Sequence, residues 1–201
     1  MRRTAEFDLM VRLSAIRFQL GAEAGRWQGA AMSDDQIRTA IERNVKAVTL
    51  RPSIGQGTAV TRATLRDGLT CDVQEGPWTL VAGMTEKYGG TNAGPNPGVY
   101  GRAALGSCLV LGYAMWAARL GVPIDTLEIE VHASYDVRGE LGVSDDVRPG
   151  YSEIRYIVTV SSPAPAEDIA RWLDIADERS SWRDNIANAV PLVCERRVTQ
   201  T

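Results

Sequence analysis

Three cysteines carry the sulfur chemistry that this 201-residue sequence offers: Cys71, Cys108 and Cys194. An odd, sparse set without a C-x-x-C spacing predicts neither a disulfide framework nor a zinc site, and it suits a reducing compartment. His132 is the single histidine, which argues against a His-dependent triad and against a His-rich metal site. We therefore expect no metal and no other cofactor, and the cysteines are the candidates for catalysis.

Cys108 lies within the most apolar segment of the chain, which runs over 103–118 without a charged side chain between Arg102 and Arg119. The segment is shorter than the roughly 18–20 residues that span a bilayer, so it predicts a buried central helix. A buried thiol behaves as a small hydrophobe whose pKa is raised. The dipole of its own helix fades within the first turn, so a reactive Cys108 requires a cation nearby.

The remaining sequence predicts an α+β fold. Asn96 suits an N-cap and Pro97 a first helical position, so the long helix is expected to begin there and to end near Leu120-Gly121. Strands and helices are segregated along the chain, which favours α+β over βαβ. Before the long helix we predict a helix over 36–47 and a meander of strands over 58–65, 69–74 and 78–81, with a turn at 66–68. After it we predict strands over 126–137 and 154–160 and a helix that starts within 163–168. A short helix over 182–189 and a last strand over 190–198 complete the predicted order.

The chain is predicted to consist of an N-terminal extension over 1–32, which need not belong to the core, and a single domain over 33–201. Arg2 and Arg3 are followed at once by acidic residues, and no A-x-A cleavage site is seen, which argues against a secretory leader. A net charge of −3 and the lack of a recognisable motif predict no nucleic-acid partner. With no membrane span expected either, the predicted location is the cytoplasm.

Several motifs together resemble those of the OsmC/Ohr family. The most specific combination is Gly94-Pro95-Asn96-Pro97-Gly98 followed by Ala103-Ala104-Leu105-Gly106-Ser107-Cys108. Further matches are Asp136-Val137-Arg138-Gly139, Arg148-Pro149-Gly150 before a strand, and Asn188-Ala189-Val190-Pro191-Leu192. The resemblance covers the chain from residue 47 to the C-terminus.

The resemblance implies an intertwined homodimer in which antiparallel sheets wrap around long central helices. Independently, a helix that is apolar on all sides has to be covered on all sides, and a partner subunit would supply that cover. The resemblance also implies thiol-dependent reduction of organic hydroperoxides in an oxidative-stress role. A first cysteine becomes a sulfenic acid, a second cysteine resolves it as a disulfide, and a reductant restores both thiols. The implied site lies at the dimer interface, where an Arg–Glu pair activates the first thiolate.

Cys108 matches the first, peroxidatic cysteine of the family. Arg66 is the best candidate for the activating arginine, ahead of Arg62 and Arg102, although a solvated arginine of a hairpin turn is an equal interpretation of Arg66. The expected glutamate is missing, because Val99 stands in its place after the Gly-Pro-Asn-Pro-Gly motif. The resemblance further implies that Asp136 and Arg138 shape the loop at Gly139, and neither they nor His132 are predicted to be catalytic.

Ser180 stands where the second cysteine of the family is expected, and a serine hydroxyl cannot form a disulfide. Cys194 and Cys71 are predicted to be strand thiols without a partner rather than substitutes for it. One function is then a one-cysteine cycle, in which Cys108 reduces a small hydrophobic hydroperoxide and an external thiol reductant completes the turnover. The alternative is an impaired dimer that binds a small hydrophobic molecule in a pocket lined by Tyr88, Tyr100 and Trp182.

Overall fold

The computed structural model describes residues 32–200, so the predicted extension lies almost wholly outside the described residues. Helices and strands are segregated as predicted, and the fold is mixed α+β with antiparallel sheets. The helices are α1 (Asp34–Leu50), α2 (Pro97–Leu120), α3 (Val137–Glu140), α4 (Ala166–Glu178) and α5 (Ser181–Ala187). The strands are β1 (Arg62–Asp67), β2 (Thr70–Glu75), β3 (Trp78–Gly83), β4 (Thr126–Ser134) and β5 (Glu153–Ser161), with 3-10 turns at Pro52–Gly55 and Glu86–Tyr88.

Strands β1, β2 and β3 form an antiparallel sheet in chain order, which confirms the predicted meander. The turns after β1 and β2 contain Gly68 and Gly76 at positive φ, a conformation that glycine adopts without a steric penalty. The turn lies later than predicted, because Arg66 and Asp67 still belong to β1. An irregularity in the β1–β2 register between Leu65 and Asp67 places Arg66 at the irregular end of the strand.

The long apolar helix begins and ends where the sequence predicts. The side chain of Asn96, the N-cap, accepts a hydrogen bond from the Val99 N–H at 3.1 Å, and Pro97 occupies the first helical position. Gly121 ends the helix with a φ of +71° and donates its N–H to the Ala117 carbonyl. Local groups therefore satisfy part of the backbone at both ends of α2.

One face of α2 forms the core together with the second sheet and α4. Strands β4 and β5 pair antiparallel along their whole length, and α4 packs against α2. Trp172 on α4 is fully buried; it meets the Tyr113 ring edge-on at 6.1 Å and donates its indole N–H to the Tyr113 carbonyl at 2.8 Å. That bond avoids the cost of an unsatisfied buried donor. The core consists of Leu105, Leu109, Tyr113, Ala117, Val122, Trp172 and Ala176.

The side of α2 that faces away from this core is exposed. Leu111 is 63% exposed and Met115 is 49% exposed. The helix is long and apolar enough to cross a membrane, as core helices of soluble proteins also are. The helix contacts α1, α4 and β4.

The predicted last strand over 190–198 is wrong for the described chain. Residues 189–200 form no helix or strand, and Leu192 and Val193 are 98% and 84% exposed. The segment alternates as a strand does, but a strand forms only where a neighbouring backbone satisfies its N–H and C=O groups. Neither of the sheets formed within residues 32–200 takes it up.

Candidate functional site

The thiol of Cys108 lies against the N-terminal end of α5. Cys108 projects from α2 at a partly buried position. Its Sγ is 3.6 Å from the Oγ of Ser180 and 3.7 Å from the Oγ of Ser181. Ser180 is the N-cap of α5, and its hydroxyl oxygen accepts a hydrogen bond from the Arg183 N–H at 3.4 Å. Two hydroxyl groups and the first turn of a helix therefore meet a thiol that is still accessible.

Opposing effects set the pKa of the Cys108 thiol. Burial is the largest of them and raises the pKa, because the thiolate loses solvation. Hydrogen bonds from the backbone of Trp182 and from the side chains of Ser180 and Ser181 act in the other direction, and together they hold the pKa below the ordinary value for cysteine. The thiolate is the nucleophilic form, so this environment increases the reactivity of Cys108 at neutral pH.

A hydrogen-bond network fixes α5 to the rest of the fold. The Asp177 carboxylate, near the end of α4, accepts from the Tyr113 hydroxyl at 2.7 Å and from the Tyr156 hydroxyl at 2.9 Å. Arg183 on α5 donates its Nε–H to the Tyr156 hydroxyl at 3.2 Å. Burial and then Asp177 raise the pKa of both tyrosines, so both hydroxyls remain protonated donors. The network joins α2, β5, α4 and α5 beside Cys108.

A cavity of about 340 Å³ lies beside the first turn of α2. Its walls come from the loop that precedes α2, from the segment around α3 and from the residues before β5. Its charged lining residues are Arg102, Asp136 and Glu140, and Cys108 is not among the residues that line it. The thiol and the cavity are therefore separate features of the protomer.

Comparison with known families covers the part of the chain that contains the thiol. A family model described as OsmC-like protein matches residues 90–195, which is more than half of the chain. The chain belongs to the OsmC-like protein family. This confirms the family predicted from the motifs, and the matched residues include Cys108 and Ser180. No curated protein sequence matches the chain.

Solved structures of similar fold agree with this membership. The OsmC-like protein from Mycoplasma pneumoniae has a TM-score of 0.58 at 16% identity, over 67% of this chain and 90% of that chain. A hypothetical protein from Aquifex aeolicus VF5 has a TM-score of 0.52 at 13% identity, over 66% and 89% of the two chains. At such identities the likeness shows the OsmC-like fold alone. OsmC-like family proteins are soluble.

Of the residues predicted from the OsmC-like motifs, Ser180 contacts Cys108 and Arg66 does not. Cys108 and Ser180 are brought into contact, so the serine stands opposite the thiol. Arg66 instead pairs with Asp72 across β1 and β2, with Nε 2.9 Å from a carboxylate oxygen, and the carboxylate raises the pKa of the guanidinium. Among the described residues, the hydrogen-bond partners of Cys108 do not include Arg66. The predicted activation by Arg66 is therefore not formed within one protomer.

At the first turn of α2, where the family's glutamate is missing, an arginine and a tyrosine form a hydrogen bond. Val99 is partly exposed on the first turn of α2. Arg102, an alternative candidate for activating Cys108, donates from one guanidinium nitrogen to the Tyr151 hydroxyl at 2.8 Å. Gly98 lies directly beside both of these groups. An arginine and a tyrosine thus meet at this end of α2, and Arg102 is directed to the cavity.

The other predicted residues lie apart from Cys108. Cys194 is exposed in the segment without secondary structure, and Cys71 is part-buried on β2. His132 lies 3.1 Å from the Glu130 carboxylate on β4. Asp136 caps α3 and pairs with Arg138, which agrees with a role in shaping the loop. Residues 32–200 contain no cluster of side chains that could hold a metal ion.

The pocket predicted from three aromatic residues is not assembled in the protomer. Tyr88 lines the cavity. Tyr100 instead donates its hydroxyl to the Val81 carbonyl at 2.7 Å, and Trp182 is partly exposed on α5. Besides Ser180, the thiol is contacted by Ser181 and by the backbone of Trp182, and the sequence did not predict these two contacts. The Ser180-Ser181 pair before a short helix is typical of an N-cap, and that signal pointed to a helix start without indicating what faces it.

Proposed function

We propose that this OsmC-like protein is a cytoplasmic, thiol-dependent peroxidase that reduces organic hydroperoxides through Cys108 in an oxidative-stress role. The observation that carries the proposal is the accessible Cys108 thiol, held at hydrogen-bond distance from Ser180 and Ser181 with a lowered pKa. Low-pKa, accessible thiols are the ones that peroxides oxidise. A purely structural thiol inside an apolar helix would have a raised pKa instead.

The first half of the reaction needs one thiolate and one proton donor. The Cys108 sulfur attacks one oxygen of the hydroperoxide, the S–O bond forms and the O–O bond breaks. The other oxygen leaves as an alkoxide and takes up a proton to become the alcohol, while the sulfur becomes a sulfenic acid. The hydroxyls of Ser180 and Ser181 are the neighbouring groups that can pass a proton from solvent to the leaving oxygen.

The second half requires an external thiol, because Ser180 replaces the resolving cysteine. A small thiol attacks the sulfenic sulfur, water leaves, and a mixed disulfide forms on Cys108. A second thiol then attacks that disulfide, which releases the oxidised thiol pair and restores Cys108. The partial exposure of Cys108 permits this approach.

The proposed working form is a homodimer. Support comes from the exposed apolar side chains Leu111 and Met115 on α2, which a second subunit would cover. Within one protomer Arg66 is paired with Asp72. Activation of Cys108 by Arg66 is therefore proposed only for the assembled dimer, where the meander of one subunit approaches the central helix of the other.

The alternative function is binding without turnover. Ser180 is buried against the thiol where a resolving cysteine would be needed, and this favours a dimer that has lost the peroxidase cycle. Such a protein would keep the fold and hold a small hydrophobic molecule. The two functions differ in whether peroxide consumption depends on Cys108.

Peroxide consumption by the purified full-length chain separates these functions. Cumene hydroperoxide and hydrogen peroxide are supplied with dithiothreitol or dihydrolipoamide, and wild type is compared with Cys108→Ser and with the matched control Cys71→Ser. The proposal expects turnover of cumene hydroperoxide in wild type and in Cys71→Ser, and its loss in Cys108→Ser. Equal background rates in all three proteins would exclude the peroxidase and leave the binding function.

A further inference from the structure

The cavity beside the first turn of α2 has the size and the lining of a small-molecule binding site. Its volume of about 340 Å³ falls in the range of pockets that take small ligands. Three tyrosines contribute to its lining, and Tyr135 and Tyr151 stack edge-on with ring centroids 6.5 Å apart. The aromatic and apolar lining consists of Met84, Tyr88, Pro97, Tyr135, Val137 and Tyr151.

Arg102 supplies the positive charge among the residues that line the cavity. The side chain is partly buried, and one guanidinium nitrogen donates to the Tyr151 hydroxyl at 2.8 Å. The Tyr151 hydroxyl in turn donates to the Gly98 carbonyl at 3.3 Å. Among residues 32–200 no carboxylate pairs with Arg102. A half-desolvated guanidinium with only a neutral partner favours an incoming anion.

Gly98 keeps the approach to this guanidinium open. A Cβ at position 98 would lie 3.2 Å from the Arg102 nitrogen, 3.2 Å from the Tyr151 hydroxyl oxygen and 3.2 Å from the Asn96 side-chain oxygen. Those contacts are tighter than ordinary van der Waals contact. The missing side chain therefore leaves room where three polar groups converge.

The other charges at the cavity restrict which anion fits. Asp136 is already paired with Arg138, which contacts both of its carboxylate oxygens. Glu140 lines the cavity and is exposed, and the Lys87 ammonium lies 5.9 Å from the centroid of the Tyr88 ring. With one unpaired guanidinium inside and two carboxylates in the lining, a singly charged ligand fits better than a phosphate dianion. The planar guanidinium matches the geometry of a carboxylate.

We propose that this cavity binds a small organic carboxylate, with the carboxylate on Arg102 and the apolar body against the tyrosines. The site is distinct from the proposed peroxidase centre. Arg102 precedes Cys108 by six residues on α2, which separates them by about 9 Å along the helix axis and turns them to different sides. The binding proposal therefore goes beyond peroxide reduction and does not depend on it.

Binding of benzoate and hexanoate to the full-length protein tests the site, with benzyl alcohol and hexanol as neutral analogues of similar size. Isothermal titration calorimetry or ligand-observed NMR gives the Kd. The carboxylates are expected to bind saturably and the alcohols much more weakly. Arg102→Ala is expected to weaken carboxylate binding by about tenfold or more, because a charge-assisted pair is lost. Arg155→Ala, which removes an exposed arginine on β5, is the matched control and should leave the Kd unchanged.

Two further variants protect the test against misfolding. Tyr151→Phe removes one hydroxyl group, and Gly98→Ala places a methyl group 3.2 Å from the Arg102 nitrogen and from the Tyr151 hydroxyl oxygen, which have to shift slightly to admit it. Both are expected to weaken benzoate binding while thermal unfolding shows a folded protein. Equal affinity for benzoate and benzyl alcohol, an unchanged Kd in folded Arg102→Ala, or no saturable binding in the millimolar range would each overturn the proposal.

Discussion

At the scale of single residues, the groups that lower the pKa of Cys108 are hydrogen-bond donors at the start of α5. A thiolate stabilised in this way forms at lower pH in the folded protein than in the unfolded chain. The pKa of Cys108 is lower in the folded protein than in the unfolded chain, so ionisation of Cys108 contributes stability that is fully present above the unfolded pKa. The contribution is lost as the pH falls through the folded pKa.

Alkylation measures this ionisation directly. In a Cys71→Ser, Cys194→Ser background, the rate of reaction of Cys108 with iodoacetamide is expected to rise with pH about a midpoint below that of a free cysteine. Ser181→Ala removes one hydroxyl donor and is expected to move the midpoint upward.

The matched control for this measurement is another serine of the same region. Ser107→Ala removes a hydroxyl that donates to the Ala104 carbonyl on α2 at 3.3 Å, and it should leave the midpoint in place. A midpoint at or above that of a free cysteine in the parent protein would contradict the role given to the hydroxyls of Ser180 and Ser181.

Only some of the groups around Cys108 could be predicted from the sequence. The resemblance to the OsmC/Ohr family implied that position 180 belongs to the site of Cys108, and the two side chains do meet although 72 residues separate them. The donors Ser181 and the Trp182 backbone were missed, because the approach of one helix end to another helix is decided by tertiary packing. Spacing along the chain carries no record of that approach.

At the scale of elements, Asp177 connects the helix that carries Cys108 to the helix that meets it. Asp177→Ala leaves the hydroxyls of Tyr113 and Tyr156 without their acceptor. We expect the free energy of unfolding to fall by about 1–3 kcal/mol, because buried donors then lack a partner. Urea denaturation measures the change, and Asp174→Ala, an exposed change on the same helix α4, is the control. Equal stability of the two variants would mean that water replaces the carboxylate at no cost.

Elements whose ends are defined locally were predicted well from the sequence. Asn96 with Pro97 and the glycine at 121 define α2, because capping depends on neighbouring residues alone. The meander followed from alternation and turn residues. The segment over 190–198 alternates equally well and forms no strand, because pairing depends on a partner backbone that local sequence does not specify.

At the scale of the whole molecule, large apolar side chains are exposed on both α2 and the meander of the described residues. Leu111 and Met115 are exposed on α2, and Leu65 and Leu80 are exposed on the meander. Exposed apolar side chains that lie close together mark interaction sites. The apolar composition of α2 predicts that a further protein surface packs against this helix. The exposed side chains show where that surface would make contact.

The oligomeric state tests the proposed homodimer. We expect sedimentation equilibrium to give twice the chain mass for the wild type. Leu111→Asp puts a charge on the exposed side of α2 and is expected to shift the equilibrium to monomer, because an unpaired charge would be buried at the interface. Leu141→Asp is the matched control, since Leu141 is similarly exposed but lies after α3. A monomeric wild type, or a dimer that survives Leu111→Asp unchanged, would show that the exposed side of α2 is not the interface, and activation of Cys108 by Arg66 from a second subunit would lose its basis.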